Sequence, residues 1–463
     1  MKKHVKILEE IMINIIREKS FYKSLGKLAF PLALQNLISV GVAMTDTVML
    51  GRLGEAAISA SALANQLFFI FTFILFGLSG GSIVLAAQYW GKGDKITISK
   101  VMGITLRFSI SIGILFTFIG LVFPAQFMTL YTKDAEVISA GVRYLHFVAP
   151  SYVLSSISVI YLAIMRSMEN VRISLFTSGI SFVVNVILNS VFIFGLVGAP
   201  KMGVAGAALA TLIARGVEFT LAVVYVTFIN KNFHFHFHHL FTNDKALFKD
   251  YIRYSGPVIL NESLWGAGIS VQAAIIGNLG KYASAAANIV SVVQRLTTVL
   301  IFGVCDSATV LLGKKIGAGD EKGAKAAANT FVILSGCLGL FSSLLVVAIG
   351  GAAISSGVFT MTSVTEGYVH IMLYGAAVFV FLQAISATNI VGIMRAGGDT
   401  RVAMLIDVCT LWFVSLPIGL LAGYFFKLEP PFVYLCMSCD EMIKVVLCLY
   451  RFKSGKWLHN VTR

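Results

Sequence analysis

The chain has 463 residues, of which 57% are hydrophobic and only 13% charged, and its mean hydropathy is +0.85. A soluble protein carries about 25% charged residues, so this balance excludes a soluble globular domain and puts most of the chain in lipid or against other apolar helices. The net charge of +14 does not mark a nucleic-acid partner: Lys and Arg gather in short segments between apolar runs, with no basic face.

Residues 1–27 come first. Val5, Leu8, Met12 and Ile15 share one face at helical spacing, which predicts an amphipathic helix on the inner membrane surface. Glu9, Glu10, Arg17 and Glu18 break the apolar core that a signal peptide needs. Apolar runs then predict twelve spans, at 28–50, 61–87, 101–123, 138–163, 173–197, 203–229, 255–278, 288–312, 326–350, 368–393, 402–426 and 432–450. Each is long enough to cross about 30 Å of hydrocarbon as a helix. With the N-terminus inside, basic residues crowd the inner segments, such as Lys92, Lys95 and Lys100, or Lys314, Lys315, Lys322 and Lys325. The outer segments hold only Arg52, Lys133, Arg143, Lys201, Lys281 and Lys427. This asymmetry predicts a multi-pass protein of the cell (plasma or inner) membrane with both termini cytoplasmic.

The chain also repeats itself. A shift of 226 positions lays Pro31 on Pro257, Gly54 on Gly280, Gly77 on Gly303, and Gly93-Asp94 on Gly319-Asp320. Prolines, turn glycines and loop acids fix backbone shape, so their coincidence indicates a duplication. Six crossings return the chain to its starting side, which predicts two parallel six-helix repeats. The expected divisions are an N-terminal six-helix lobe at 28–229, a cytoplasmic linker at 230–254, a C-terminal six-helix lobe at 255–450 and a cytoplasmic tail at 451–463. The fold class is therefore all-α integral membrane.

Four histidines of the linker lie in Phe233-His234-Phe235-His236-Phe237-His238-His239. A metal would suit them, but an amphipathic segment at the inner interface explains the alternation as well, and no metal site is assigned. The six cysteines, all in the second half, read as small buried hydrophobes, Cys436 and Cys439 included.

No phosphate loop, serine elbow or clustered catalytic site occurs, so the chain does not read as an enzyme. Ionisable groups inside spans remain. A charge at the bilayer centre costs about 2.5–3.5 kcal/mol on insertion scales, so such groups usually face a cavity. Asp46, inside span one, is the clearest; its alternative is an idle, hydrated place near the outer interface. Glu262 lies one turn past Pro257, and Asp407 in span eleven. Arg295, in span eight, is expected to pair with Glu262 or Asp407. Arg215 with Glu218, and Glu441 with Lys444, have the spacing of local ion pairs. Asn185 and Asn189 share one face of span five and, with Thr211, offer oxygens either to a cation at Asp46 or to helix–helix hydrogen bonds. Gln35 completes the polar candidates of the first lobe.

Pro31 early in span one, Asp46, Gly51-Arg52-Leu53-Gly54, Gly91-Lys92-Gly93-Asp94, the same frame from Pro257, and Asn185-Val186-Ile187-Leu188-Asn189 together resemble the multidrug and toxic compound extrusion (MATE) family of the MOP flippase superfamily. The resemblance covers about Phe30 to Tyr450. It implies a V-shaped monomeric transporter of two six-helix lobes that exports small-molecule drugs, often organic cations, in exchange for H⁺ or Na⁺, with no other cofactor. It also implies Asp46, Asn185, Asn189 and Thr211 at a cation site. Family members often carry an aspartate where this chain has Asn189. Others carry acids near Trp265 and Ala384, where this chain has Glu262 and Asp407 instead. A lipid-linked oligosaccharide flippase of similar architecture is the alternative, disfavoured because only Arg107, Arg215 and Arg295 lie well inside spans. A membrane enzyme is a further alternative.

Overall fold

The computed structural model describes residues 15–242, 244–355 and 361–463. Val5, Leu8 and Met12 of the expected N-terminal helix lie outside them. The described chain is helical, as apolar segments in lipid must be, because each backbone N–H and C=O then finds its partner within the segment.

Among the described residues eight α-helices carry the first half: α1 (Lys19–Gly51), α2 (Glu55–Lys92), α3 (Lys95–Val122), α4 (Pro124–Thr129), α5 (Ala135–Val148), α6 (Ser151–Ser167), α7 (Arg172–Phe194) and α8 (Val204–Val224). The second half follows with α9 (Lys245–Asn278), α10 (Lys281–Gly317), α11 (Glu321–Ser355), α12 (Ser363–Ala387), α13 (Thr400–Thr410), α14 (Leu416–Leu420), α15 (Pro430–Ser438) and α16 (Asp440–Lys453). Short π-helical stretches extend α8, α12, α13 and α14. Among the described residues nine helices are long and apolar enough to span a membrane, or ten if α5 and α6, bent by 49°, count as one. The expected span 138–163 is that bent pair, broken at Pro150, which has no N–H for the helical ladder. The expected spans 255–278 and 432–450 lie on α9 and on the α15–α16 pair, which do not pass the same test. Several helices outrun their apolar runs: α1 begins at Lys19, not at 28, and α2 continues to Lys92.

The 226-residue shift holds in the backbone. It carries the start of α1 onto that of α9, and the start of α2 onto that of α10. Gly54 and Gly280 have φ of 112° and 119°, and Gly93 and Gly319 have 83° and 78°. A side chain is strained in that region, so these turns need glycine. Asp94 accepts the N–H of Thr97 at 2.9 Å, and its counterpart Asp320 accepts that of Gly323 at 2.8 Å, each capping the helix that follows.

The chain forms two compact units. One comprises Leu34–Ala86 and Asp94–Ile259. Its interior includes Phe71 packed on Tyr152 and Phe116, with ring centroids 5.3 and 5.4 Å apart. The other comprises the chain up to Ala33, Ala87–Gly93 and Leu260–Arg463. Its core joins Ala286, Val290 and Val293 of α10 to Val369, Met372 and Ala376 of α12, where small residues let helices approach closely. Cys305 and Cys448 are buried there, but Cys337 and Cys409 are exposed, against the expectation of six buried cysteines. Cys337 lies on α11 and Cys409 on the apolar stretch Thr400–Phe425, where a small side chain is as compatible with lipid as with a core.

Candidate functional site

In the first unit, α7 packs along α8. Their contact is close because Gly206 lies against the backbone at Phe192, where any side chain would collide. That contact sets Asn185 and Asn189 of α7 beside Thr211 of α8. Thr211 Oγ1 donates to the Ala207 carbonyl at 3.0 Å and accepts from Asn185 Nδ2 at 3.4 Å. Asn189 Nδ2 donates to Asn185 Oδ1 at 3.2 Å and to Asp46 Oδ1 at 2.5 Å. Asn185 and Asn189 are buried, and Asp46 is half-buried. The structure thus brings four of the expected residues into one chain of polar groups that ends on a carboxylate.

Two features of this chain matter chemically. Among the described residues Asp46 has no basic partner in an ion pair, whereas Arg215 is bound to Glu218 at 2.7 Å. The carbonyl oxygen Oδ1 of Asn189 is buried and accepts no hydrogen bond. A buried acceptor left unmatched is unfavourable by about 1–3 kcal/mol, so the place favours a proton donor or a cation. Gln35 is not part of the chain. It donates to Ser178 Oγ at 3.2 Å and stands with the Arg215–Glu218 pair.

The contact between Asp46 and Asn189 has a counterpart in the second unit. The 226-residue shift takes Asp46 to Gln272, and Gln272 Nε2 donates to Ser415 Oγ at 2.7 Å, on the span that corresponds to α7. The second unit therefore keeps the contact with neutral groups.

Its acids lie elsewhere, with partners other than the expected one. Glu262 binds Arg395 at 2.6 Å, and Asp407 binds Lys444 at 3.2 Å. Arg295 is exposed and pairs with neither. Spacing along α10 fixes how deep Arg295 lies but not which neighbour it meets, and each acid has another partner. Lys444 also binds Asp440 at 3.0 Å and Glu441 at 3.1 Å. The expected Glu441–Lys444 pair is thus one arm of a larger cluster. Arg395, which the sequence places in an inner loop, and Asp440 were missed. The run Asp440-Glu441 before Lys444, inside an apolar stretch, was the available signal.

In the linker, His239 Nδ1 lies 2.7 Å from Ser99 Oγ, at the one-turn helix Phe237–Leu240. Phe233 and Phe235 are buried and His234 and His236 exposed, but the alternation ends there, with Phe237 exposed and His239 buried. Among the described residues no group of three or more His, Cys, Asp or Glu could hold a metal.

Long apolar helices, a polar chain ending on one carboxylate, and two copies of one frame fit a membrane transporter. Residues 31–191 and 257–421 each match the MatE family profile, and the two matches begin 226 residues apart. The chain belongs to the MatE family, whose members are transporters and not enzymes. It is 25% identical over 435 residues to the "Probable multidrug resistance protein NorM" of Thermotoga maritima, covering 94% of this chain and 93% of that one. It is 24% identical over 417 residues to the "Probable multidrug resistance protein YoeA" of Bacillus subtilis, covering 89% of each. An outward-facing multidrug resistance MATE family transporter of the MOP superfamily has the same fold, with a TM-score of 0.84 at 15% identity over 94% of this chain and 96% of that one. A MOP superfamily transporter from Pyrococcus furiosus matches at a TM-score of 0.81 and 16% identity, with the same coverage.

Proposed function

We propose that this protein is a secondary active efflux transporter that exports organic, often cationic, compounds in exchange for H⁺ or Na⁺ by alternating access. The chain crosses the plasma membrane twelve times as two parallel six-helix lobes, 28–229 and 255–450, with both termini and the linker cytoplasmic. One observation carries the mechanism: Asp46 ends a chain of amide and hydroxyl groups without a basic partner, next to the unmatched Asn189 oxygen. A single carboxylate there is neutralised by one proton or one Na⁺. Either event removes the counter-charge of a bound cationic drug and releases it. Desolvation favours the proton; the oxygens of Asn185, Asn189 and Thr211 favour Na⁺. The names of the NorM and YoeA relatives support a drug as the cargo. A flippase for lipid-linked sugars is less well supported, because two of the three arginines inside spans are occupied. Arg107 donates to the Thr242 carbonyl and Arg215 to Glu218.

The test is Asp46→Asn, which keeps the shape and removes the titratable charge. In liposomes given a pH or a Na⁺ gradient one at a time, the wild type identifies the ion, and Asp46→Asn loses export under that gradient. Export by Asp46→Asn at the wild-type rate, with loss in Glu262→Gln or Asp407→Asn, would move the coupling site to the second unit.

A further inference from the structure

The second unit contains a charge imbalance that the proposed mechanism does not use. Lys444 is 4% exposed at its side chain, and its ammonium meets Asp407 Oδ1, Asp440 Oδ2 and Glu441 Oε1 at 3.2, 3.0 and 3.1 Å. An ammonium has three protons to donate, so these contacts use all of them. The three carboxylates are 13%, 5% and 15% exposed. Fully ionised, the cluster carries three negative charges against one positive charge, nearly out of water. A structural ion cluster buried to this degree would be balanced, because removing uncompensated charge from water is unfavourable.

The groups around the cluster do not supply the missing charge. Ser386 of α12 donates to Glu441 Oε2 at 2.6 Å, and Cys448 lies one turn further along α16. From α9, Asn261 Nδ2 donates to Asp407 Oδ2 at 3.2 Å. Nearby Arg395 is bound to Glu262, and Arg451 to Asp399. Asn261 adds an independent sign of a ligand. It is 2% exposed, and its carbonyl oxygen Oδ1 has no hydrogen-bond partner. Half a turn of the amide about its terminal torsion exchanges its oxygen and nitrogen. Asn261 Oδ1 then faces Asp407 Oδ2 and requires a proton between the two oxygens.

We propose that Asp407, Asp440, Glu441 and Lys444 form a second ion site, which takes up one proton among its carboxylates and registers it through the Asn261 amide. In the deprotonated state Asn261 N–H donates to the Asp407 carboxylate. In the protonated state an O–H bond forms on Asp407 Oδ2, with the proton drawn from water, and donates to the Asn261 carbonyl. The net charge of the cluster falls from two negative to one. The role of this site in transport rests on the ion-coupled function proposed above; its existence does not.

Infrared difference spectra of the purified protein between about pH 5 and about pH 9 read carboxylic acid C=O bands without any transport assay. Asp46→Asn is expected to keep a carboxylic acid band, and Asp46→Asn combined with Asp407→Asn or Glu441→Gln is expected to lose it. Loss of every titrating band in Asp46→Asn alone would overturn the proposal and leave Asp46 as the sole ion site. A band that survives when Asp407→Asn, Asp440→Asn and Glu441→Gln are combined with Asp46→Asn would place the proton outside the cluster and overturn it too. Repeating the titration with Na⁺ in place of choline separates the ions: displacement of the residual band by Na⁺ would overturn the proton assignment. Where a double variant does not fold, Asn261→Leu in the Asp46→Asn background is expected to shift the frequency of the residual band. An unshifted band there counts against the amide switch.

Discussion

Glu262 and Arg395 allow a structural role to be separated from a coupling role. Their contact is 2.6 Å, and the side chains are 18% and 7% exposed. Removing one partner of a buried pair typically destabilises by about 3–5 kcal/mol, because the other charge is stranded. The two strandings differ. Arginine cannot give up its proton, so Glu262→Gln leaves a permanent buried cation at every pH. A carboxylate stranded by Arg395→Met can escape by protonation. For an ordinary Glu pKa of about 4.3 that costs about 4 kcal/mol at about pH 7 and about 1 kcal/mol at about pH 5.

The expected outcome is that both single variants unfold at lower denaturant or temperature than wild type at neutral pH. On acidification Arg395→Met recovers most of its loss and Glu262→Gln none. The double variant Glu262→Gln/Arg395→Met is expected to be more stable than either single one, since matched apolar or neutral groups replace a buried pair at little cost. Ion-driven uptake into liposomes should follow stability, and the double variant should transport. If the double variant is stable but inert, while Asp46→Asn still transports, Glu262 is a coupling residue and the structural assignment of the pair is wrong.

Two further outcomes are expected. In the linker, burial holds the His239 pKa below its ordinary 6.5, helped by His238, His236 and Lys100. The folded form therefore binds fewer protons than the unfolded one, and docking of Phe237–Leu240 weakens as pH falls through 6.5; linker proteolysis should accelerate there in wild type and lose that step in His239→Gln. At the other end, Trp457 is 2% exposed and stacks on Phe452, while Gln88 holds the tail through the Val461 N–H at 2.8 Å. Trp457→Ala should destabilise by about 3–5 kcal/mol and free the tail so that trypsin cuts faster after the exposed Lys456, and an unchanged melting curve would refute the packing role.

Much of this was legible because it is written in backbone chemistry. Glycines at 54, 93, 280 and 319 and capping acids at 94 and 320 each demand one local geometry, so matching them across the chain located the repeat. The i,i+4 spacing of Asn185 and Asn189 fixed a shared face, and one polar face in an apolar helix has few places to point. Ion pairing between helices was not legible. Depth along an axis follows from residue number at about 1.5 Å per residue, but rotation about it and the choice of neighbour follow from packing. Arg295 and Arg395 differ in that respect, and only Arg395 reaches Glu262. Helix ends were missed for a related reason. Hydropathy marks where lipid ends, whereas α1 and α2 continue as helices beyond it.

The duplication itself separates scaffold from chemistry at the candidate site. Both copies place a polar contact between the first and fifth spans of the repeat, Asp46 with Asn189 and Gln272 with Ser415. Helix–helix adhesion accounts for the second in full, since an amide and a hydroxyl satisfy each other and Ser415 passes its own proton to the Met437 carbonyl at 2.7 Å. Adhesion does not account for the first. A carboxylate is harder to bury than the amide that serves at the same point of the other copy, and Asn189 is left with an idle carbonyl oxygen beside it. The same scaffold therefore occurs with and without a titratable group. Changing Asp46 to the residue its counterpart carries, Asp46→Gln, asks the first copy to do what the second already does. The contact should survive and the protein should fold, and what is lost is the part of the function that depends on charge.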